Sequence, residues 1–281
     1  MSPSPQLGIF AKTFSRPTLS ESLDAVASHG LQSVQFNMSC VGLPTLPENI
    51  APDVLAEIRR ETNTRQISIA AVSGTFNLIH PNPLERRQGL RRLPVLAAAC
   101  AQLGVRLITL CTGTRDPSDM WRAHLDNNSP EAWRDLRASL DEALAIAEEH
   151  DVTLAFEPET ANVVNSAAKG RRLLDEAQSS RLKVVMDAAN LFHPGDFPRM
   201  PRIMDEAFEL LGADIALAHA KELDASLHPD TRGPGSGVLD WDLYAARLRA
   251  ANFTGSWIMH SLDESRVTAS ADYLKKKLKT A

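Results

Sequence analysis

The feature that most constrains the fold of this chain is a regular alternation, along its whole length, of short apolar segments with segments of helical periodicity. The apolar segments predict strands at residues 7–10, 33–38, 68–73, 105–111, 152–156, 184–186, 215–218 and 256–259. The periodic segments predict helices at residues 19–29, 50–60, 83–103, 132–150, 167–177, 202–211, 239–251 and 269–278. Strands that alternate with helices form parallel sheets, so the fold class is α/β. Eight such units favour a single closed (β/α)8 barrel over an open doubly wound sheet.

The length of the chain agrees with this fold. A barrel of this type needs roughly 250 residues, and the chain has 281, although the length alone would fit two smaller domains equally well. No linker rich in Pro, Gly or Ser divides it, so we expect one domain over residues 1–281. The phosphate-binding patterns GxGxxG after the first strand and GxxxxGK[ST] are both absent from the sequence.

Composition excludes several classes of function. The formal net charge of −5 provides no basic face for nucleic acid, and no apolar run approaches the roughly 18 residues of a membrane span. The first ten residues, MSPSPQLGIF, lack the charged and apolar regions of a signal peptide. The three cysteines, Cys40, Cys100 and Cys111, lack metal-type spacing and are typical of thiols in a reducing cytosol. We therefore expect a cytoplasmic protein that acts on a small molecule.

Four residues of metal-ligand type end the last four predicted strands: Glu157, Asp187, His219 and His260. A barrel brings its strand ends together at the C-terminal face, where the active site is then expected. Two carboxylates and two imidazoles suit Mn, Fe, Co or Zn better than Ca or Mg. The alternative is a set of unrelated residues. Asp187, followed by small residues and a predicted Pro194-Gly195 turn, would then be a cap, and His260 a core histidine.

Several of these stretches carry a family resemblance. The motifs LAFEPE, VVMDAANLF, ALAHAKE and GPGSGVLDWDLYAARLRAANFTGSW resemble parts of the xylose-isomerase-like TIM-barrel superfamily, and within it the sugar phosphate isomerase/epimerase group. SGTFNLIHP and LGVRLITLCTGT are similar to its third and fourth strands, so the likeness covers essentially the whole chain. An abasic-site endonuclease of the same superfamily would need additional metal ligands, which this acidic chain lacks.

The resemblance implies a metal site. The family takes a Glu, an Asp, a His and a second Glu from strands five to eight, and the first three match Glu157, Asp187 and His219. The fourth position departs from the family, because His260 stands where the epimerases have Glu. One divalent ion is implied (Mn, Co, Zn, Fe or Mg, with manganese favoured), together with a possible homodimer. His260 is then either a ligand or a base beside the metal.

The resemblance also implies a reaction, namely removal of a proton next to the carbonyl of a sugar or keto-sugar through a metal-stabilised enediolate. Glu157 is the catalytic base for one face. Lys221 is either a second proton handler or a charge clamp for the enolate oxygen. Since the second ligand carboxylate is missing, two alternatives stay open. One is a lyase or dehydratase acting on a keto-sugar, keto-glycoside or cyclitol, and the other is a non-catalytic sugar-binding barrel.

Five further residues are candidates for substrate binding. Glu159 follows strand five and either handles a proton or pairs with a base, and Asn190 stands where the family often has His. His80 ends the third-strand motif and either binds substrate or orders its loop. Trp121 lies in residues 112–130, a segment of lid-like length, and either stacks on a sugar or packs the loop. Arg232 holds a phosphate or hydroxyl group, or is simply exposed.

Overall fold

The computed structural model describes residues 5–193, 195–226 and 228–279, and within these ranges eight parallel strands close into a barrel. The strands are β1 Gln6–Phe10, β2 Ser33–Phe36, β3 Ser68–Ser73, β4 Leu107–Cys111, β5 Thr153–Glu157, β6 Leu182–Asp187, β7 Ile215–Ala220 and β8 Ser256–Met259. Each strand pairs with the next along the chain, and β8 pairs with β1. The predicted (β/α)8 barrel is therefore confirmed. Pro194 of the predicted turn and residues 1–4 of the N-terminal segment lie outside the described residues.

Helices follow the strands and form the outer layer. They are α1 Leu19–Ser28, α2 Pro52–Thr64, α3 Pro83–Leu103, α4 Pro130–Glu149, α5 Ala167–Ala177, α6 Met200–Leu211, α7 Trp241–Ala250 and α8 Val267–Lys279. The predicted bounds of α3 and α5 match these, whereas α2 was predicted to begin two residues too early and to end four residues too early. It begins at Pro52 because proline suits a first helical position and keeps Ala51 extended. Within the described residues, no helix has both the length and the apolar character needed to cross a bilayer.

The interior of the barrel is built in layers. Ala155, Val185, Leu217 and Ile258, from β5 to β8, belong to one small buried apolar cluster inside the sheet. In a strand, residues two apart point to the same face. The next inward positions along these four strands are therefore Glu157, Asp187, His219 and His260, so the ligand-type residues form a polar layer directly above an apolar one.

Glu222, just after β7, holds the long loop that leads to α7. Its side chain is buried, and its two carboxylate oxygens accept hydrogen bonds from the backbone N–H groups of Leu223, Gly235 and Leu239. The indole Nε1 of Trp241 donates a fourth, at 2.8 Å. One carboxylate thus orders both ends of a loop that has little regular structure of its own.

Replacing this carboxylate should destabilise the protein strongly. An unpaired buried donor costs about 1–3 kcal/mol, and Glu222→Ala leaves four of them, so we expect the free energy of unfolding to fall by about 3 kcal/mol or more. Urea unfolding followed by circular dichroism measures the change. The matched control is Glu206→Ala on the exposed face of α6, which should change stability by about 0.5 kcal/mol or less. Equal losses in the two variants would contradict this account of the loop.

Candidate functional site

The polar layer forms the floor of a cavity at the C-terminal ends of the strands. The cavity has a volume of about 510 Å³, within the range of small-molecule sites. Its lining residues are Phe10, Lys12, Thr13, Gln35, Asn37, Ser73, Thr75, Thr109, Leu110, Cys111, Trp121, Glu157, Glu159, Asn190, His219, Lys221, Pro229, His260, Ser261 and Leu262. Asp187 is almost fully buried beneath them. Seven of the ten different residues that the sequence proposed for the site therefore line one cavity, and Asp187 lies at its floor.

The proposed metal ligands converge. Single ligand atoms of Asp187, His219 and His260 lie within 4.8 Å of one another. Oε2 of Glu157 lies 3.4 Å from Nδ1 of His219. These four side chains come from four consecutive strands, and the closure of the barrel brings them together as the order of their strands predicts.

His219 provides the test of whether a cation fits. Its Nε2 lies 2.8 Å from Oε1 of Gln35, and an amide oxygen can only accept, so Nε2 carries the proton. In the neutral imidazole the lone pair is then on Nδ1. This atom is buried and has no hydrogen-bond partner among the described residues. It faces a carboxylate oxygen of Glu157, which is also an acceptor. A divalent cation bound by both atoms would satisfy them, so the residues present fit a metal ion.

Asp187 makes a cap interaction and also contacts two of the other proposed site residues. Oδ1 accepts a hydrogen bond from the backbone N–H of Ala189 at 3.0 Å, which is a cap interaction. Oδ2 lies 2.9 Å from Nε2 of His260 and 3.4 Å from Nζ of Lys221. Burial by itself would raise the pKa of Asp187, but the charge of Lys221 and the hydrogen bond from His260 outweigh it and hold that pKa well below its usual range. Asp187 is therefore ionised, as a ligand must be.

Asn190 connects Lys221 to Glu157. Nζ of Lys221 donates to Oδ1 of Asn190, and Nδ2 of Asn190 donates to Oε1 of Glu157. An ammonium can only donate and a carboxylate can only accept, so this chain fixes the orientation of the amide. Burial by itself would lower the pKa of Lys221, but the charges of Asp187, Glu157 and Glu159 outweigh it and raise that pKa. Lys221 is thus a fixed positive charge inside the cavity.

Glu159 and His260 are two further titratable groups of the cavity. Burial, together with the neighbouring charge of Glu157, raises the pKa of Glu159 to about 7. Burial also lowers the pKa of His260, whose Nδ1 lies 3.0 Å from the hydroxyl of Ser261. The neutral imidazole that results is the form that binds metal ions.

Trp121 lies at the rim of the cavity, in the segment predicted to be a lid. Its side chain lines the cavity and the residue is 49% exposed. The segment has defined turns, because Asp116 accepts hydrogen bonds from the backbone N–H groups of Ser118 and Asp119, and a short 3₁₀ helix covers Leu125–Asn128. A large aromatic surface is thus held at the entrance.

His80 and Arg232 lie away from the cavity. The ring of His80 contacts the backbone oxygen of Pro117 and accepts from the backbone N–H of Asn82, so its contacts are those of a loop-ordering residue. The guanidinium of Arg232 forms several hydrogen bonds with the carboxylate of Asp230. Local polar partners therefore hold both side chains.

Sequence reasoning missed the polar residues that β2, β3 and β4 contribute to the cavity floor. Gln35, Ser73 and Thr109 are all buried, and all line the cavity. The available signal was Gln35 itself, because a glutamine within the apolar strand SVQF needs a polar partner inside the fold.

Comparisons with known proteins agree with this fold. Residues 23–278 match the family model described as a xylose isomerase-like TIM barrel. Two epimerase structures are similar. One is the 3-keto-D-glucoside 4-epimerase YcjR from E. coli, with 16% identity and a TM-score of 0.75 over 97% of this chain and 99% of that one. The other is the D-psicose 3-epimerase from Clostridium cellulolyticum H10, with 17% identity and a TM-score of 0.74 over the same shares.

A third similar structure is the IOLI protein with a bound zinc atom, with 16% identity and a TM-score of 0.75 over 98% of each chain. At these identities the likeness shows the fold alone. None of the curated proteins matches the chain significantly by sequence.

Removing a proposed ligand should weaken metal binding. We expect Asp187→Ala and His219→Ala each to raise the dissociation constant for Mn²⁺ or Co²⁺ by about 100-fold or more, since each deletes one ligand atom of the convergent set. Isothermal titration calorimetry measures the affinity. The control is His193→Ala, which removes an exposed imidazole outside the cavity lining and should bind as the unmodified protein does. Unchanged affinity in both ligand variants would refute the site.

Proposed function

We propose, from the premise that this chain belongs to the xylose isomerase-like TIM-barrel family, that it is a divalent-metal-dependent isomerase or epimerase of a sugar or keto-sugar. The observation that carries the proposal is the buried, unpartnered Nδ1 of His219, which faces Oε2 of Glu157 at the cavity floor beside the ionised Asp187. The sugar epimerases among the similar structures and the zinc-bound IOLI protein support it.

Four side chains would hold the ion: Glu157, Asp187, His219 and His260. They offer two carboxylates and two imidazoles, a donor set that suits Mn, Co, Zn or Fe, and manganese is the first to test. A cation bound there would act as a Lewis acid that polarises a carbonyl oxygen and acidifies the neighbouring C–H group.

Proton transfer is assigned to two glutamates that line the same cavity. Glu157 takes a proton from the substrate on one face, with its other carboxylate oxygen held by Asn190. Glu159 is the second proton handler, because a carboxyl whose pKa is about 7 both accepts and returns a proton near neutral pH. Two roles were considered for Lys221, a proton handler and a charge clamp. We assign it the second, since its fixed positive charge stabilises negative charge on a substrate oxygen.

A lyase or dehydratase acting on a keto-sugar, keto-glycoside or cyclitol is the second candidate. His260 favours it, because β8 then contributes an imidazole bonded to Asp187 and no carboxylate. If Glu159 only binds substrate, proton removal takes place on one face, and loss of a leaving group from the neighbouring carbon completes the reaction. A non-catalytic sugar-binding barrel would neither isomerise the sugar nor release a leaving group from it.

The charges around the cavity support a substrate without a phosphate group. Among the described lining residues the only lysines or arginines are Lys12 and Lys221, and Lys221 is already engaged with Asn190 and Asp187. Arg232, the residue first considered for a phosphate, is bound to Asp230. This distribution of charge fits a neutral sugar, bound at the polar floor and stacked on Trp121 at the rim, better than it fits a sugar phosphate.

Replacing the proposed base should abolish proton exchange. We expect the manganese-loaded protein, incubated in deuterated water with ketoses, keto-glycosides and inosose, to exchange one C–H proton and return an isomer, as measured by NMR. Glu157→Gln should lower that rate by about 10²–10⁴-fold, because the amide cannot accept the proton. Release of water or a glycosyl group would identify a lyase instead. Binding without any turnover would identify a non-catalytic barrel.

Trp121 should affect substrate binding more than turnover. We expect Trp121→Ala to raise KM for an unphosphorylated sugar by about 5- to 10-fold, which corresponds to about 1–1.4 kcal/mol of lost aromatic contact. Leu125→Ala is the matched control, since Leu125 lies in the same segment, is 92% exposed and is not among the residues lining the cavity. Steady-state kinetics with a sugar and its phosphate ester test both points. A lower KM for the phosphate ester than for the free sugar would contradict the assignment of a neutral substrate.

A further inference from the structure

Gln35, on β2, joins the proposed metal site to the opposite wall of the cavity. Its side chain is buried and makes three hydrogen bonds. Oε1 lies 2.8 Å from Nε2 of His219, and Nε2 of the amide donates to the hydroxyls of Ser73 and Thr109, each at 3.0 Å. All the hydrogen-bonding hydrogens of this amide are therefore used within a network that spans β2, β3, β4 and β7.

The orientation of the Gln35 amide determines which nitrogen of His219 is protonated. With Oε1 of Gln35 facing it, the imidazole of His219 must carry its proton on Nε2. That leaves the lone pair on Nδ1, the atom that faces Glu157 at the proposed cation site. The opposite orientation of the amide would require Nε2 without a proton, and the proton would then occupy Nδ1 and block that site. The amide of Gln35 thus decides which nitrogen of His219 is available.

The same orientation determines what the two hydroxyls can do. Ser73 and Thr109 accept from Gln35, so their own hydrogens are free to donate, and neither finds an acceptor among the described residues. Both line the cavity. Two buried hydroxyl donors that face the same space form a subsite for an acceptor oxygen, such as the hydroxyl or carbonyl oxygen of a sugar.

We propose that Gln35 is a positioning residue that presents Nδ1 of His219 to the metal ion and, through the same amide, turns the hydroxyls of Ser73 and Thr109 into donors for a substrate oxygen. The substrate half of this inference rests on the proposed function. The His219 half does not, because the proton position on the imidazole is a property of the protein without substrate.

Two substitutions of Gln35 separate its effect on metal binding by His219 from its effect on substrate binding by Ser73 and Thr109. In Gln35→Glu the carboxylate still accepts from Nε2 of His219, but it cannot donate, so the hydroxyls of Ser73 and Thr109 turn their protons towards it. We expect Mn²⁺ affinity to be kept within about 3-fold or to increase, because a carboxylate partner raises the basicity of a ligating imidazole. KM for the sugar should rise by about 10-fold or more. In Gln35→Leu the imidazole loses its acceptor, and we expect Mn²⁺ affinity to fall by about 10–100-fold.

Three measurements test the proposal. Long-range ¹H–¹⁵N NMR on the metal-free protein reports which nitrogen of His219 is protonated, with the resonance assigned from a His219→Gln variant, and we expect the Nε2–H form. Calorimetry with Mn²⁺ gives the cation affinity of each Gln35 variant. Kinetics of Ser73→Ala and Thr109→Val should show a raised KM with unchanged Mn²⁺ affinity. Ser139→Ala is the control for loss of a buried hydroxyl, since its hydroxyl donates to the backbone of Leu78 and it is not a cavity-lining residue.

The proposal is overturned if His219 carries its proton on Nδ1, or if Gln35→Leu binds Mn²⁺ as tightly as the unmodified protein. It is also overturned if both hydroxyl variants keep the original KM. Should no sugar be turned over at all, the proposed function fails while the NMR and calorimetric results still decide the role of Gln35.

Discussion

The balance of charge in the barrel mouth governs how the site is arranged. Three carboxylates, Glu157, Glu159 and Asp187, lie in or beneath one cavity, and burial disfavours the ionised forms of Glu159 and Asp187. Lys221 is the buried counter-charge, and the imidazole of His260 adds a hydrogen bond to Asp187. Asp187 is therefore ionised, whereas Glu159, which has weaker compensation, has a pKa of about 7. Two acidic groups of one site thus acquire different properties from their surroundings alone.

The apolar layer beneath the site makes this arrangement rigid. Val185 and Leu217 lie two residues before Asp187 and His219 on the same faces of their strands, and both are buried. Packing below and paired charges above restrict each side chain from both directions. The loop that leads to α7 depends similarly on Glu222, whose four hydrogen bonds are all with groups of that loop or its ends. The site is thus built on regular strands, and the loops supply its rim.

His260 distinguishes this chain from the epimerase pattern that it resembles. An imidazole at the end of β8 keeps a metal-ligand type at that position but removes a carboxylate that could transfer a proton. Glu159 lies in the same cavity with a pKa suited to that task, so the proton-transfer role is proposed to lie just after β5 instead of after β8. In the proposed function, this one exchange of residue type bears on the choice between isomerase and lyase chemistry.

The sequence by itself determined the barrel and the ligand-type residues at the ends of its last four strands. The alternation of strands and helices implies parallel closure, and the two-residue period within each strand places Glu157, Asp187 and His219 on the inner face. Only the tertiary structure decided which other side chains reach that floor. Gln35 contacts His219 across 184 positions of the sequence, and His80 contacts the backbone oxygen of Pro117 in the loop after β4. Arg232, by contrast, is held by Asp230 in its own loop. The physical reason is that strand periodicity is local, whereas a hydrogen bond across the barrel depends on distances that arise only when the sheet closes.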